Sequence, residues 1–402
     1  MSVVYERAPR PRTGWDAWGT VVLGATRLPV RLLVFAGGVL VWVVAMFIVG
    51  GGEAITAIWT NALFLVPLVL VGSLVRTVKL RSIALMGFAG GALMGVMYLL
   101  AQFLGPLLGT GMRPFVMPFL EELLKVLPLL GFVWLGRRTY TWAIGATDLL
   151  LLAAASGVGF GVVEDAYIRA HSGWPDQISW LPVTEIISGR LIVGHAIWAA
   201  LAGATIGLTL LLRTRQSAFV MVLVGASGFA VSVLDHIANN YGVGRSDGFA
   251  GVLNFVTANG WIALTLFFAA AITCVAIDAW IVYRRLPSAG GAYQYPSGES
   301  GYPLPPHGGG LRGFAEAWAF VLDRRKLSFA RYQWQRAPRR LIQEVGRIAA
   351  GIEWSLYMRE PEKSRAAFAA AVKTSSWREP DSPGSAERGT VEPPTPQSTG
   401  EK

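Results

Sequence analysis

Apolar residues fill most of the first 285 positions in runs of about twenty, and short polar or glycine-rich segments separate the runs. An α-helix needs about 20 predominantly apolar residues to cross the roughly 30 Å hydrocarbon core of a bilayer. Eight runs meet this requirement, which predicts an all-α fold: a polytopic membrane helix bundle with about eight transmembrane helices. Their approximate bounds are 32–50, 55–75, 83–104, 115–135, 149–168, 191–212, 218–240 and 261–281.

Composition and charge support a membrane protein and predict its orientation. Hydrophobic residues make up 53% of the chain and charged residues only 15%, and the mean hydropathy is +0.47; these values are typical of integral membrane proteins. Arginine and lysine are abundant before the first predicted span and after every second one, whereas the alternate loops carry few. Because cytoplasmic loops are enriched in these residues, we expect a multi-pass protein of the cell membrane with both termini cytoplasmic.

The net charge of +10 comes mainly from the predicted cytoplasmic loops and tail. It therefore reflects topology and attraction to anionic lipid. Nothing in the sequence resembles a nucleic-acid-binding module, so the expected partners are the lipid bilayer and, if the protein is an enzyme, a membrane-embedded substrate.

The segments around the predicted membrane domain differ in composition. Residues 1–30 form a basic cytoplasmic N-terminal segment, and the transmembrane domain covers 31–285. A Pro/Gly-rich linker follows at 286–313, and a basic amphipathic helical tail at 314–372 is expected to lie on the membrane surface or to dock a partner. Residues 373–402 are rich in Ser, Pro and Glu and are expected to be disordered.

Three glutamates and two histidines lie inside predicted spans: Glu121, Glu122, Glu164, His195 and His236. A charge near the bilayer centre costs about 2.5–3.5 kcal/mol on insertion scales, so such residues usually face one another or a wet cavity. At 1.5 Å per helical residue, the predicted topology places these groups roughly 6–10 Å below the outer membrane edge on four different helices. We therefore expect one polar layer, and a functional site, in the outer half of the bilayer.

Residue spacing within the spans indicates what chemistry this layer can perform. Three pairs share or nearly share a helix face because they are three or four residues apart: Glu121 with Lys125, His236 with Asn240, and Glu164 with Tyr167. A carboxylate can act as the base for water, an imidazole can share its proton or hold a metal, and an amide N–H can donate to a developing oxyanion. Peptide hydrolysis inside a membrane needs these groups and a cavity that admits water.

A divalent metal such as Zn²⁺ is compatible with the same side chains. A catalytic zinc site needs three protein ligands and one open position, which His195 and His236 together with Glu164 or Glu121 could supply. A metal-free glutamate mechanism would use the same residues in other roles. The sequence leaves both mechanisms open, and it contains no HExxH motif.

Four ordered segments contain these residues: Glu121-Glu122-Leu-Leu-Lys125, Gly-Phe-Gly-Val-Val-Glu164-Asp165-Ala-Tyr167, Gly194-His195-Ala196 and Asp235-His236-Ile-Ala-Asn239-Asn240. Together they resemble the ordered motifs of the PrsW-type intramembrane protease family, over roughly residues 31–285. That family is distantly similar to the CAAX-processing and bacteriocin-processing proteases, which share a paired-Glu motif and an HxxxN motif. In the CAAX-processing relatives an arginine follows the paired Glu one residue later than Lys125 does here, and lysine cannot make the bidentate contacts of arginine.

The resemblance implies a bacterial intramembrane endopeptidase that makes the site-1 cut in single-pass membrane proteins, such as anti-sigma factors, near the outer face. It implies that Glu121 or Glu122 activates the water and that His195 and His236 assist or ligate a metal. The expected catalytic residues are Glu121, Glu122, His195, His236 and Asn240, with Lys125, Glu164 and Tyr167 supporting them.

Two other function classes are compatible with parts of the pattern. A proton- or metal-coupled transporter also places Glu and His within spans, but transporters commonly show repeated halves and interrupted helices at matching positions, which this sequence lacks. A membrane scaffold with a basic tail leaves the common depth of the polar residues unexplained. Asp165 and Asp235 are predicted to be interfacial rather than catalytic, and Cys274 is predicted to be a small core residue.

Overall fold

A computed structural model of the protein describes the greater part of its membrane domain and part of the tail. The described residues are 48, 51–135, 142–172, 184–187, 190–213, 217–242, 245, 247–288, 311–337, 341, 344–346, 348–349 and 352. The predicted first span, 32–50, lies outside them except for Ile48, so the total of eight spans stays a prediction. The segments 1–30 and 373–402 also lie outside the described residues.

Helices account for nearly all of the described structure. In chain order the elements are α1 (Glu53–Gly72), α2 (Leu80–Leu135), α3 (Ala146–Ser172), β1 (Thr184–Ile187), β2 (Arg190–Val193), α4 (His195–Leu212), α5 (Ala218–Gly242), α6 (Gly248–Val256), the short 3₁₀ turn Ala258–Gly260, α7 (Trp261–Ser288) and α8 (Leu311–Trp334). Six helical stretches among the described residues, on α1 to α5 and α7, are long and apolar enough to cross a membrane. The prediction of a multi-pass helical membrane protein is confirmed.

Helix α2 consists of two arms that fold back on each other at Gly109. This glycine has φ +62° and ψ −178°, a conformation that a residue with a Cβ rarely adopts. Ser156 of α3 lies against Gly90 of the first arm, and its hydroxyl donates to the carbonyl of Lys125 on the second arm at 2.7 Å. A straight helix would hold residues 90 and 125 about 52 Å apart. The predicted spans 83–104 and 115–135 lie on these two arms.

Helix α3 is the centre of the bundle. In an apolar stretch of 18 residues on this helix, 94% of the stretch is buried inside the protein. The burial is this complete because α1, both arms of α2, α4 and α7 surround the helix. Two glycines allow this close packing. A Cβ at Gly159 would lie 1.7 Å from the carbonyl oxygen of Gly87, and one at Gly157 would lie 2.3 Å from that of His195. The second contact fixes the start of α4 against α3.

The start of α4 corrects the sequence prediction. Residues 191–193, predicted to be helical, instead belong to β2, which pairs antiparallel with β1 in the register Thr184↔Val193 to Ile187↔Arg190. Helix α4 begins only at His195, after Gly194 in an extended conformation (φ −78°, ψ 167°). Non-helical backbone at membrane depth is tolerated where protein buries it, and Leu191 and Val193 are both buried. Hydropathy alone does not separate a short buried strand from a helix.

One end of the bundle is formed by residues 73–79, the start of α3 and the end of α4, and we call it the basic end. Two buried acids accept hydrogen bonds there. The carboxylate of Asp278 accepts from the backbone N–H groups of Ala146 and Thr147 at 3.1 and 2.7 Å. Asp148 accepts from the N–H groups of Thr77 and Val78 at 2.7 and 3.0 Å. Asp278 thus satisfies backbone N–H groups at the start of α3, and Asp148 satisfies those of the loop before α2. This structural role explains why both acids are buried.

Helix α8 packs against the basic end. Arg325 Nη1 donates to the carbonyls of Ser73 and Arg76 at 2.7 and 3.2 Å, and Phe329 is completely buried in the main hydrophobic core. Further along, Val345 and Ile348 belong to a small cluster with Trp142 of the membrane domain. The described part of the tail docks onto the bundle of its own chain; the expectation that the tail lies on the membrane surface or docks a partner stays a prediction.

This docking predicts that the tail contributes to stability. Phe329→Ala removes a fully buried aromatic side chain, and such truncations typically cost 3–5 kcal/mol. We expect a loss of about 3 kcal/mol or more in the free energy of unfolding, measured by chemical denaturation in detergent. Phe255→Ala is the matched control, because Phe255 is 85% exposed. Equal losses in the two variants would contradict the packing described for α8.

Candidate active site

Four helices bring the predicted site residues together at the end of the bundle opposite the basic end. The second arm of α2 supplies two glutamates and a lysine, α3 a glutamate and a tyrosine, α4 a histidine, and α5 a histidine and an asparagine. The imidazole centroids of His195 and His236 are 5.6 Å apart. The predicted polar layer is therefore present as a compact cluster, while the role of each residue stays a prediction.

Glu122 lies at the back of the cluster and is fully engaged. Its Oε1 lies 2.7 Å from His236 Nδ1 and also pairs with Lys125 Nζ. Glu122 is 1% exposed and Lys125 is completely buried, so each charge needs the other as a partner. A carboxylate held in this way orients His236 and is poorly placed to act on water. Of the two adjacent glutamates, Glu121 is the one free for chemistry.

Lys125 also contacts the second histidine. Its Nζ lies 2.7 Å from His195 Nδ1, and its ammonium group lies within 5.3 Å of the ring centroids of Phe160 and Trp198. An ammonium group only donates hydrogen bonds, so Nδ1 of His195 accepts and its Nε2 carries the proton. That nitrogen lies 2.5 Å from Oε2 of Glu164. Lys125 thus contacts His195 directly and His236 through Glu122, and it does so without the bidentate geometry of arginine.

Two carboxylate oxygens face the histidines. Oε2 of Glu164 is paired with the protonated Nε2 of His195, whereas Oε2 of Glu121 is buried and has no hydrogen bond among the described residues. Glu121 Oε2 is 3.4 Å from His236 Nε2, the ring nitrogen that remains unprotonated when Nδ1 donates to Glu122. An unsatisfied buried oxygen is costly, and a bound cation would satisfy the oxygen of Glu121.

The donor set fits a divalent metal. One ligand atom from each of Glu121, His195 and His236 can be chosen so that all three lie within 4.8 Å of one another. Three protein ligands with an open fourth position are typical of catalytic zinc, and a carboxylate on the far nitrogen, as Glu122 provides for His236, is the usual outer support of a metal-bound imidazole. A metal bound by His195 would displace the contact that the ligating nitrogen now makes, which is Lys125 at Nδ1 and Glu164 at Nε2. In this group of ligand atoms, the carboxylate that lies close to both histidines belongs to Glu121 and not to Glu164.

A cavity of about 460 Å³ adjoins the cluster, and we call it the site cavity. Glu121, Glu164, Tyr167 and Asn240 line it, so every predicted residue either faces the cavity or supports one that does. Methionines from both arms of α2 form much of the remaining wall. A volume of this size is enough for several waters or a short stretch of peptide side chains.

A buried network that the sequence prediction missed supports His236. The indole of Trp198 stacks on the imidazole at 4.2 Å and 15°, and its Nε1 donates to Asp235 Oδ2 at 2.9 Å. Asp235 Oδ1 accepts from Arg190 Nη2 at 2.8 Å. Asp235 is only 2% exposed, and its predicted place at the membrane interface stays a prediction.

Asp165 has a similar role at the neighbouring helix. Its Oδ2 accepts from Asn61 Nδ2 at 2.6 Å, which ties α3 to α1 next to Glu164. Asn61 is itself buried and lies beside Gly161, close to the ring of His195. The single asparagine of the second predicted span was the sequence signal for this contact.

The Arg190–Asp235 pair yields a stability prediction. Asp235→Ala leaves the guanidinium of Arg190 buried without its counter-charge, and removing one partner of a buried pair typically costs 3–5 kcal/mol. We expect a loss of about 3 kcal/mol in the free energy of unfolding in detergent. The double variant Arg190→Met with Asp235→Leu should recover most of it, because neither charge is then stranded. A single variant as stable as the wild type would contradict the burial of this pair.

Comparison with known proteins agrees with the arrangement. The family model described as PrsW family intramembrane metalloprotease matches residues 28–273, which is more than half of the 402 residues. No curated protein and no solved structure gives a significant match.

Proposed function

Because the chain belongs to the PrsW family of intramembrane metalloproteases, we propose that it hydrolyses peptide bonds of single-pass membrane proteins near the outer face of the membrane. The observation that carries this proposal is the cluster of Glu121, His195 and His236 beside the site cavity. The transporter and scaffold alternatives have no comparable support.

The proposed orientation rests on charge. The basic end carries Arg76, Lys79, Arg81 and Arg213, whereas the site lies at the opposite end. Cytoplasmic segments are enriched in such residues, which supports a cytoplasmic basic end and a site toward the exterior. Helix α8 packs on the basic end, so the tail would also be cytoplasmic, and we propose the same side for the N-terminus in the cell membrane.

In the proposed reaction, Glu121, His195 and His236 would hold the metal. A bound divalent metal supplies Lewis acidity toward a carbonyl oxygen and makes water a stronger nucleophile at neutral pH. Glu164, which lines the site cavity, would accept the proton of the attacking water and pass it to the leaving amine. Asn240 would donate its amide N–H to the oxyanion that develops on the carbonyl.

The remaining polar residues would keep this arrangement rigid. Glu122 holds His236 through Nδ1, Lys125 bridges Glu122 and His195, and Trp198 fixes the plane of the His236 ring. Such pre-organisation is what electrostatic catalysis requires, because the donors need not reorganise as charge develops. Tyr167 packs edge-on against Tyr98 at the cavity wall and would shape the opening rather than take part in bond breaking.

The test is cleavage of a single-pass model substrate by the purified protein in proteoliposomes. The wild type should cut the substrate on the outer side, whereas Glu121→Ala and His195→Ala should not. Val222→Ala serves as the control, because Val222 is 67% exposed on α5 and faces away from the cavity. Cleavage by both site variants at the wild-type rate would sink the proposal. In a bacterium, an anti-sigma factor with one transmembrane helix is the kind of substrate that this reaction would suit.

A further inference from the structure

The site cavity contains a cation that the proposed reaction does not use. Arg113 lies on the second arm of α2, lines the cavity together with Glu121 and Glu164, and is exposed. Within the part of the chain that the structure describes, it has no ion-pair partner. A charged guanidinium at the wall of a substrate-sized cavity is available to bind an anionic group.

The position of Arg113 relative to the site follows from helix geometry. Arg113, Met117 and Glu121 are spaced by four residues, so they lie in a row on one helix face. All three line the cavity, which agrees with that row. Eight residues of α-helix span about 12 Å. The backbone of Arg113 therefore lies about 12 Å from that of Glu121, toward the turn at Gly109.

The wall between the two charged ends is apolar and adaptable. Met94 and Met97 come from the first arm of α2, and Met117 comes from the second. Methionine side chains are flexible and polarisable, so they accommodate apolar groups of different shape. The cavity thus has an acidic end, a methionine middle and a basic end.

We propose that Arg113 binds an acidic side chain of the substrate, three or four residues from the cleaved bond on its outer side. This inference rests on the proposed function, since it names the substrate feature that the same site reads. An extended peptide advances about 3.3 Å per residue, so about 12 Å corresponds to three or four residues. The apolar residues between the acid and the cleaved bond would lie against Met94, Met97 and Met117. The occupant is a peptide carboxylate rather than a lipid phosphate, because Arg113 shares a concave wall with the catalytic residues.

The experiment is a charge exchange in proteoliposomes of neutral lipid, repeated with anionic lipid. Model single-pass substrates carry one Asp, one Lys or one Ser at each of the second to sixth positions outside the cleaved bond. The wild type should cleave the substrate with Asp at position three or four with a kcat/KM about tenfold above that with Ser, and Lys there should lower it. Arg113→Glu should invert this order, favouring Lys, and the inversion itself shows that the variant is folded and active.

Arg245→Glu is the matched control. Arg245 precedes α6 near the same end of the bundle, but it stacks on Tyr241 at 4.3 Å and does not line the cavity. It should keep the wild-type order. An order that Arg113→Glu leaves unchanged would overturn the inference, as would a loss that is equal for all substrates and depends on anionic lipid, which would assign Arg113 to a headgroup. If the wild type cleaves none of the substrates, the proposed function itself fails.

Discussion

Replacing Glu121 by glutamine is expected to abolish cleavage and to strip the protein of its metal. Glu121 offers the carboxylate oxygen that lies with both histidines, and a neutral amide is a much weaker ligand. Loss of an outer-shell partner alone typically costs 10–100-fold in metal affinity or activity, so loss of a ligand should cost more than about 100-fold. The fold should persist, since Oε2 of Glu121 makes no hydrogen bond among the described residues.

Two measurements on the same preparation check this prediction. Bound metal is quantified by mass spectrometry after dialysis, and cleavage is followed with the single-pass substrate. The wild type should carry about one metal per chain, lose cleavage on treatment with a chelator and regain it with Zn²⁺. Glu121→Gln should carry little metal and recover only at high metal concentration. A variant that retains full metal would show that Glu121 is not a ligand.

The Glu164→Gln variant should behave differently, and the contrast separates the two acids. If Glu164 accepts the proton of water, its loss should lower kcat by 10²–10⁴-fold, the range typical of a general base. Metal content should remain near the wild-type value, because Glu164 lies outside the close group of ligand atoms. Its 2.5 Å contact with His195 Nε2 would become a neutral hydrogen bond.

Metal content is the decisive readout for this second variant. Loss of metal together with activity would mean that Glu164 is the third ligand, and Glu121 would then be the base. Retention of both metal and activity would remove Glu164 from the reaction altogether. Val222→Ala again provides the control preparation, since its side chain lies on the outer surface of α5.

The large-scale features of this protein could be predicted because hydrophobic length and charge asymmetry are local properties of the sequence. A run of about twenty apolar residues has few alternatives to crossing the bilayer, and the basic loops then fix the direction of each crossing. The predicted direction and the rise per residue together predict that Glu121, Glu164, His195 and His236 share one depth. A common depth is a precondition for their meeting, and the packing of the four helices then brings the side chains into contact.

Features that depend on tertiary contacts could not be predicted in the same way. Asp235 is adjacent to His236, but its partner Arg190 is 45 residues away on a strand, and only the folded chain brings them together. The strand itself was hidden, because residues 191–193 continue the apolar run of α4 without a break. Glu121 and Glu122 likewise look equivalent in the sequence, and only the positions of Lys125 and His236 distinguish them.

The central position of α3 has a consequence for how the protein is assembled in the membrane. A segment with almost no lipid-facing surface cannot slide laterally between partners that have already closed around it. When α3 leaves the insertion machinery, α4, α5 and α7 have not yet been made, so Glu164 lacks its histidine partner at a cost of a few kcal/mol. Asp165 can already pair with Asn61 of α1. Burial of α3 in the newly made chain therefore depends on helices that are synthesised after it. Truncation before α7 should leave α3 accessible to membrane quality-control proteases.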